Sequence, residues 1–493
     1  MQPSLSVFHP CFIRGQRIGP AEAGAQPAKT EIAFDSTIGR RHGSRSFADG
    51  NRGGLAVDFS GSPRELEMEL MAELVGNLLV AQSGGPTAVI NASVAGVVQE
   101  AGKHEFVEEI YGGLNGILGI LNEELVDLND ERAKTIEGLK HTPAAALGTC
   151  RYKVDFKKKP EQAAKDMDRL FEVFQAHNIR YFFYIGGNDS QDTAHKIHEE
   201  AVKRAWDMRI IGVPKTIDND LPHTDHCPGF GSVIKYNAAT VMEVALDVGG
   251  MATDDGAVCI IEVMGRSAGW IAAGTILART KPTDAPHIIL VPEIAFNEAA
   301  FLAKVKETVA LNKYCVVVVG EGLKNAAGEE IGVDKKKLDA FGHPVLGGAA
   351  EALAEIVQGK LNTKTRTVKL GYAQRAAAHF ASETDVEEAA ACGAAAVKAA
   401  IAGQSGFMVK LVRVQNSPYQ WTTGLQPLGD IANVEHFVPR DWISEDGFTP
   451  NEKFVEYARP LVAGQLKLPT ENGLPKFVTL DKNPVEKKLA PRS

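Results

Sequence analysis

Short apolar runs, each ending in a glycine-rich or acidic turn and giving way to an amphipathic stretch, constrain this chain more than any other feature. GNLLVAQSGGPTAVINASVAGVVQEAG at 76–102 reads as strand, glycine turn and helix. The pattern recurs in RYFFYIGGNDSQDTAHKIHEEAVK at 180–203, RIIGVPKTIDND at 209–220 and GAVCIIEVMGRSAGWIAAGTILA at 256–278. APHIILVPE, NEAAFLAKVKETVALN and KYCVVVVGEGL continue it to residue 323. Apolar runs of this kind with helices between them predict an α/β fold whose mostly parallel sheets are covered on both faces. Ligands of open parallel sheets bind at the carboxyl ends of the strands, where the polar and glycine motifs fall here. Two such α/β layers facing one cleft would suit a two-substrate enzyme.

The 493 residues are enough for a large core and two or three domains. A net charge of −9 argues against a nucleic-acid-binding role, yet leaves room for phosphate ligands held by a few local cations. The six cysteines are scattered, with no metal-binding spacing, which reads as a reduced, cytoplasmic protein. No run of about 18 apolar residues suggests a membrane span. Residues 1–65 are rich in Gly, Ser, Pro and Arg without apolar periodicity, and read as a disordered extension. ELEMELMAELV at 65–75 is a short helical candidate, and 383–402 reads as a further helix. The expected layout is a donor-binding domain at 72–225, a second ligand-binding domain at 226–375, and a segment at 376–493 packing back on the core. Its tail beyond Ser417 reads as irregular with short helices.

Several turns carry groups suited to phosphate chemistry. In AQSGGPT at 81–87, Gly84 and Gly85 let the backbone approach an anion at a helix start, although such turns are also purely structural. Asn188, Asp189 and Ser190 could bind a magnesium–phosphate unit or cap the helix they open. GVPKTIDNDLP at 212–222 is more informative. Lys215, Thr216, Asp218, Asn219 and Asp220 follow a buried strand, and desolvating such a cluster is costly unless it binds ions or does chemistry. One carboxylate can take a hydroxyl proton while the other holds metal, the alternative being an Asx turn. Arg266 in EVMGRSAGW can stabilise a phosphoryl group in transfer. Glu321 in VVVVGEG is a candidate for sugar hydroxyls, or a cap. Arg366, Tyr372 and Arg375 in RTVKLGYAQR suit a sugar phosphate.

Together SGGPTAVIN, GGNDS, PKTIDND, EVMGR, GEG and LGYAQR, in this order, resemble the phosphofructokinase family over about residues 74–410, and the tail to about 465 resembles its longer pyrophosphate-dependent branch. The resemblance implies two similar Rossmann-like three-layer domains around a cleft. It implies transfer of a phosphoryl group to the 1-hydroxyl of fructose 6-phosphate, with Mg2+ as cofactor and a homodimer or homotetramer as the assembly. Asp218 corresponds to the catalytic base, with Thr216 and Asp220 beside the moving phosphoryl group and magnesium, and Asn188 as a second metal position. Gly84, Gly85, Arg151 and Ser190 would hold the donor. Ile217, Met264, Gly265, Arg266 and Glu321 would line the sugar site. Tyr372, Ala373, Gln374 and Arg375, helped by Arg366, would hold the 6-phosphate.

Donor choice turns on two positions. ATP-using members commonly read GGDGS and carry glycine before TIDND, where this chain has Asp189 and Lys215. A carboxylate at 189 would project where the α-phosphate of ATP belongs. Two like charges about 4 Å apart repel by about 1 kcal/mol in water and about 4 kcal/mol at an effective dielectric of 20. Lys215 adds a cation beside the donor. Both replacements resemble pyrophosphate-dependent members, so pyrophosphate is the expected donor. An ATP-dependent enzyme and a non-catalytic regulatory subunit are the alternatives, and a dehydrogenase is disfavoured because no GxGxxG follows a strand with its acidic partner. Three positions depart from the family pattern. Asn188 replaces an aspartate, Ala257 stands where a cross-subunit arginine is expected, and QRAAAHFAS replaces a glycine-rich continuation.

Overall fold

The computed structural model describes residues 74–332 and 348–492, with the backbone of the short strands Asp334–Leu338 and Pro344–Val345. The expected extension at 1–65 lies outside the described residues, as does the helical candidate at 65–75 except for Leu74 and Val75, which lead into the first strand.

Five strands come first: β1 (Gly76–Gln82), β2 (Val107–Gly113), β3 (Leu125–Asp127), β4 (Ile179–Gly186) and β5 (Arg209–Pro214). Helix α1 (Ile90–Ala101) follows β1, and α2 (Asn188–Lys203) follows β4. After α3 (Phe230–Gly250) a second sheet forms from β6 (Ala257–Val263), β7 (Ile288–Leu290), β8 (Tyr314–Gly320) and β9 (Lys364–Lys369). Its order is β9-β6-β8-β7, parallel throughout. The chain then makes α4 (Glu383–Ile401) and returns to the first sheet as β10 (Phe407–Asn416) and β11 (Tyr419–Pro427). The first sheet runs β11-β10-β5-β4-β1-β2-β3, parallel except at its outermost strands β11 and β3.

The continuous apolar runs are explained by burial on both faces. In β8, Val316 and Val318 face one hydrophobic cluster while Val317 and Val319 face another. In β1, Leu78 and Val80 divide from Leu79 and Ala81 in the same way. Side chains alternate across a strand, so a strand packed on both faces needs apolar residues at every position. Helices α1 and α4 cross at backbone contact. A methyl group at Gly96 would fall 2.0 Å from the Ala390 carbonyl oxygen, and one at Gly393 would fall 2.1 Å from that of Ser93.

Strand β11 departs from the irregular tail expected beyond Ser417. Pro418 and Gly424 interrupt the sequence pattern, yet Trp421 and Leu425 pack against the core beneath the first sheet. Antiparallel pairing with β10 then supplies the backbone hydrogen bonds. Residues 383–402, expected to be helical, are so over Glu383–Ile401.

Candidate active site

The turns after β1, β4 and β5 in one sheet and after β6, β8 and β9 in the other carry the motif residues, all at the carboxyl ends of parallel strands. The loop after β5 is held most tightly. Thr216 Oγ1 accepts a hydrogen bond from the Asp218 backbone N–H at 3.1 Å. Asn219 adopts a left-handed conformation, φ 55°, which asparagine tolerates better than most residues, and its side chain is buried. The Cys227 N–H donates to Asn219 Oδ1 at 2.9 Å, and Asn219 Nδ2 donates to the Tyr457 hydroxyl at 2.9 Å. Tyr457 lies on α5 (Glu452–Ala458) and donates in turn to the Asp225 carbonyl at 2.9 Å. With Asn219 anchored inward, Asp218 and Asp220 on either side of it line the cleft.

A charged network backs this loop. Arg413 donates to the Asp225 carboxylate through Nε and Nη2 at 3.1 and 2.9 Å. His226 bridges Asp225 at 2.8 Å and Glu388 at 2.6 Å, and Glu388 also accepts from the Tyr419 hydroxyl. Burial alone would lower the pKa of His226, but Glu388 and Asp225 outweigh it and raise it to about 9. The imidazolium therefore persists at neutral pH and ties helix α4 to the segment behind the acidic loop.

At the first sheet is an open cleft of about 610 Å3, with Gly84 and Gly85 on one wall and Gly187 to Ser190 on another. Gly84 has φ 74°, and a methyl group there would sit 3.2 Å from Lys215 Nζ. Lys215 is 4% exposed and donates from Nζ to the Gly85 carbonyl at 2.9 Å. Burial pushes its pKa down to about 8, opposed by Asp218 and Asp220. Burial likewise pushes Asp218 up to about 6, with Glu321 adding to the rise and Lys215 and Arg375 opposing it. Asp220 rises to about 7 through burial and the neighbouring Asp218. Arg151 is exposed just after Cys150, whose carbonyl meets the Gly84 N–H at 3.4 Å.

The residues expected at the sugar are carried by the second sheet. Glu321 follows β8, its N–H donating to the Val263 carbonyl at 3.0 Å, and burial raises its carboxyl pKa. The GEG and MGR turns touch closely enough that a methyl group at Gly322 would fall 1.7 Å from the Arg266 carbonyl oxygen. Gly265 has φ 113°, a conformation that glycine accommodates. The Arg375 guanidinium lies over the Tyr372 ring, 4.4 Å from its centroid. A methyl group at Gly85 would meet Arg375 Nη1 at 2.9 Å. Arg375 thus reaches from the second sheet's turn to the donor glycines, and its charge opposes the rise in the pKa of Asp218.

Several expected site residues are placed differently. The Asn188 amide is engaged in structure. Its Oδ1 accepts from the Asn433 N–H at 2.7 Å, and its Nδ2 donates to the Val434 and Ile431 carbonyls. As a neutral amide already clamping the C-terminal segment, it is a poor metal ligand. Gln374 is 2% exposed and acts as a clamp, accepting at Oε1 from Asn237 and from the Met264 N–H while donating to the Gly371 carbonyl. Ile217 points into the hydrophobic cluster beneath the second sheet. Ala373 is exposed and offers only a methyl group. Arg366, on edge strand β9, lines a separate cavity with Asp247, Met251, Glu351 and Gln358. Asp189 does border the cleft, but it pairs with Lys153 Nζ at 2.6 Å, which offsets part of the repulsion expected against a nucleotide.

Sequence reasoning missed Lys153 and three C-terminal residues that line the cleft: Asn433, Glu435 and Phe437. Nothing in local patterning marks 431–438, since that stretch has no periodicity. Its anchors are long-range: Asn188 at Asn433 and Val434, the Asp220 carbonyl at the His436 N–H, and Glu293 at the Val438 N–H.

The family described as phosphofructokinase matches residues 77–400. The pyrophosphate–fructose 6-phosphate 1-phosphotransferase of Halomonas elongata is 47% identical over 414 residues, 84% of this chain and 98% of that protein. An ATP-dependent 6-phosphofructokinase of Amycolatopsis methanolica is 32% identical over 290 residues, 58% of this chain and 56% of that protein. Among solved structures, the pyrophosphate-dependent phosphofructokinase of Marinobacter aquaeolei is 44% identical, with a TM-score of 0.77 over 85% of this chain and 100% of that one. On its own fold and motifs, and on these likenesses, the chain belongs to the phosphofructokinase family.

Proposed function

We infer that this protein transfers a phosphoryl group from pyrophosphate to the 1-hydroxyl of fructose 6-phosphate, giving fructose 1,6-bisphosphate and phosphate. The observation that carries this reading is the meeting of Asp218 with Lys215 and Arg375, between the donor glycines of one sheet and Glu321 of the other. Fructose 6-phosphate binds through Arg375 and Tyr372 at its phosphate and through Glu321 at its hydroxyls. Asp218 takes the proton of the 1-hydroxyl as that oxygen attacks the distal phosphorus. The bridging P–O bond breaks and the remaining phosphate departs with its electron pair. Lys215 stands beside the donor and, with Arg266 of the MGR turn, stabilises charge on the phosphoryl group. The residues position and neutralise, which is most of what phosphoryl transfer requires of a protein. Lys215 and Asp189 favour pyrophosphate over a nucleotide by supplying a cation at the donor and filling space beyond it.

The donor cleft suits magnesium. Asp220 Oδ1 is buried and meets no hydrogen-bond donor, and a hard cation takes such carboxylate oxygens. Asp220 would hold the ion, which when bound supplies charge neutralisation to the donor phosphates.

Purified protein with fructose 6-phosphate and magnesium, offered pyrophosphate or ATP in turn, tests the assignment. Rapid formation of fructose 1,6-bisphosphate is expected with pyrophosphate and only a trace with ATP. Faster turnover with ATP would overturn the donor choice.

The pH profile follows from the same groups. A base must be ionised, so the raised pKa of Asp218 predicts loss of kcat/KM as pH falls through about 6. A donor-site ammonium must be protonated, so the lowered pKa of Lys215 predicts a second loss as pH rises through about 8. A bell narrower than unperturbed carboxylate and lysine would allow is the expected profile, measured on kcat/KM for pyrophosphate.

A homo-oligomer fits the surface. Met242, Leu246 and Met251 are exposed on and just beyond α3, at 45%, 78% and 59%, and Met251 borders the cavity that holds Arg366. A second copy would cover this apolar patch. The five described cysteines form no disulfide, and no described helix is long and apolar enough to cross a membrane.

A further inference from the structure

The loop that bears Asp218 follows a strand of the first sheet, yet it is anchored from the core of the second. Asn219, left-handed at φ 55°, stands between Asp218 and Asp220, and its Nδ2 donates to the Tyr457 hydroxyl at 2.9 Å. Tyr457, on α5, packs against the hydrophobic cluster that contains Ile261 and Val263 of β6 and Val316 and Val318 of β8. Its ring centroid is 5.5 Å from that of Trp270 and 5.2 Å from that of Trp442. Trp270 is buried and opens the short helix that follows the MGR turn. The Tyr457 hydroxyl therefore joins the loop of the first sheet to the core beneath the turns of the second.

Proton count fixes how this joint is made. A phenol has one proton, and Tyr457 gives it to the Asp225 carbonyl at 2.9 Å. Toward Asn219 the hydroxyl can only accept, so the amide must present Nδ2 to it. Asn219 Oδ1 is left for the Cys227 N–H at 2.9 Å. Both ends of the amide are thus engaged, and Asn219 cannot turn without breaking a hydrogen bond. A second link joins the same two bodies on the other side of Asn219. The His436 N–H donates to the Asp220 carbonyl at 2.8 Å, and the His436 carbonyl accepts from Trp270 Nε1 at 2.9 Å.

We propose that Tyr457 is a positioning residue for phosphoryl transfer, its hydroxyl holding Asp218 in register with a sugar phosphate seated on the turns of the second sheet. This rests on the functional reading above, with Asp218 as the base. Tyr457 lies behind the loop and is not among the residues lining the cleft, so its hydroxyl serves the rate of transfer and not the affinity for either substrate.

Tyr457→Phe keeps the ring and removes only the hydroxyl. Misplacing a reacting group by about 1 Å can cost about a hundredfold, so kcat with pyrophosphate should fall about tenfold to a hundredfold. KM for both substrates should stay within about twofold. Phe454→Leu disturbs the same aromatic cluster from the same helix, 6.2 Å from the Tyr457 ring, without touching the hydroxyl. It should lower the melting temperature while leaving kcat within about twofold. In an Asp218→Asn background, Tyr457→Phe should change kcat by less than about threefold, because no base is left to place. Asn219→Gly accepts the left-handed conformation and deletes the amide, so it should give the same split and carries the test should Tyr457→Phe fail to fold. Unchanged kcat in both single variants, an equal loss in Phe454→Leu, or an undiminished loss in the Asp218→Asn background would each overturn this inference alone. A wild-type protein that transfers nothing from pyrophosphate would overturn the functional reading and this inference with it.

Discussion

Replacing Asp218 by Asn should lower kcat by about a hundredfold to ten-thousandfold, the range attributed to a positioned general base. The substitution keeps size and one oxygen while removing the proton acceptor, so the fold should survive. The local geometry supports that separation. The loop is held by Asn219, Thr216 and the Tyr457 hydroxyl, none of which depends on the Asp218 carboxylate. Removing a carboxylate that burial and Glu321 disfavour should leave the melting temperature equal or slightly higher. Steady-state kinetics with pyrophosphate and a thermal melt on the same preparation check both halves. Near-normal kcat would remove Asp218 from the reaction, and a collapsed melt would assign it to structure.

Asp189→Gly combined with Lys215→Gly should lower kcat/KM for pyrophosphate by about a hundredfold to a thousandfold, as expected when a preorganised donor to a transferring group is removed. Turnover with ATP should become measurable at the same time. Lys215 supplies most of the loss, because it is buried, lies against Gly84 and Gly85, and opposes the rise in the pKa of Asp218 more than Arg375 does. Asp189 supplies most of the change in donor choice, chiefly by occupying space. Lys153 sits 2.6 Å from its carboxylate, so the repulsion it exerts on a nucleotide is weaker than a lone aspartate would give. Comparing kcat/KM for the two donors in the double variant and in Asp189→Gly alone separates the contributions. Undiminished pyrophosphate activity in the double variant would remove Lys215 from the donor site.

The strands, their parallel pairing and the turns that bear the chemistry were legible because their signals are local. A run such as VVVV in β8 can satisfy both faces of a sheet only as a buried strand, and a glycine pair after such a run marks a backbone turn. The acidic loop Asp218–Asp220 was legible for a related reason, since adjacent polar groups after a buried strand need a purpose. Strand β11 was hidden because Pro418 and Gly424 obscure its alternation, and pairing with β10 overrides that weak propensity. Gln374 and Arg366 show the limit within a motif. Both sit in RTVKLGYAQR, yet one turns inward to hold the MGR turn and the other faces a cavity on another surface. Side-chain direction there depends on which neighbour is present, which spacing alone does not encode.

By itself, then, the sequence determined the α/β architecture and the phosphofructokinase motifs, and it singled out Asp218 and Lys215 as candidates for base and donor-site cation. Only the tertiary structure decided that Asn188 holds the segment 431–438, that Lys153 tempers Asp189, and that Glu435 enters the donor cleft. The physical reason is sequence distance. Asn188 and Val434 are joined by one side-chain hydrogen bond across 246 positions, and so long-range a contact leaves no periodicity, spacing or composition to read.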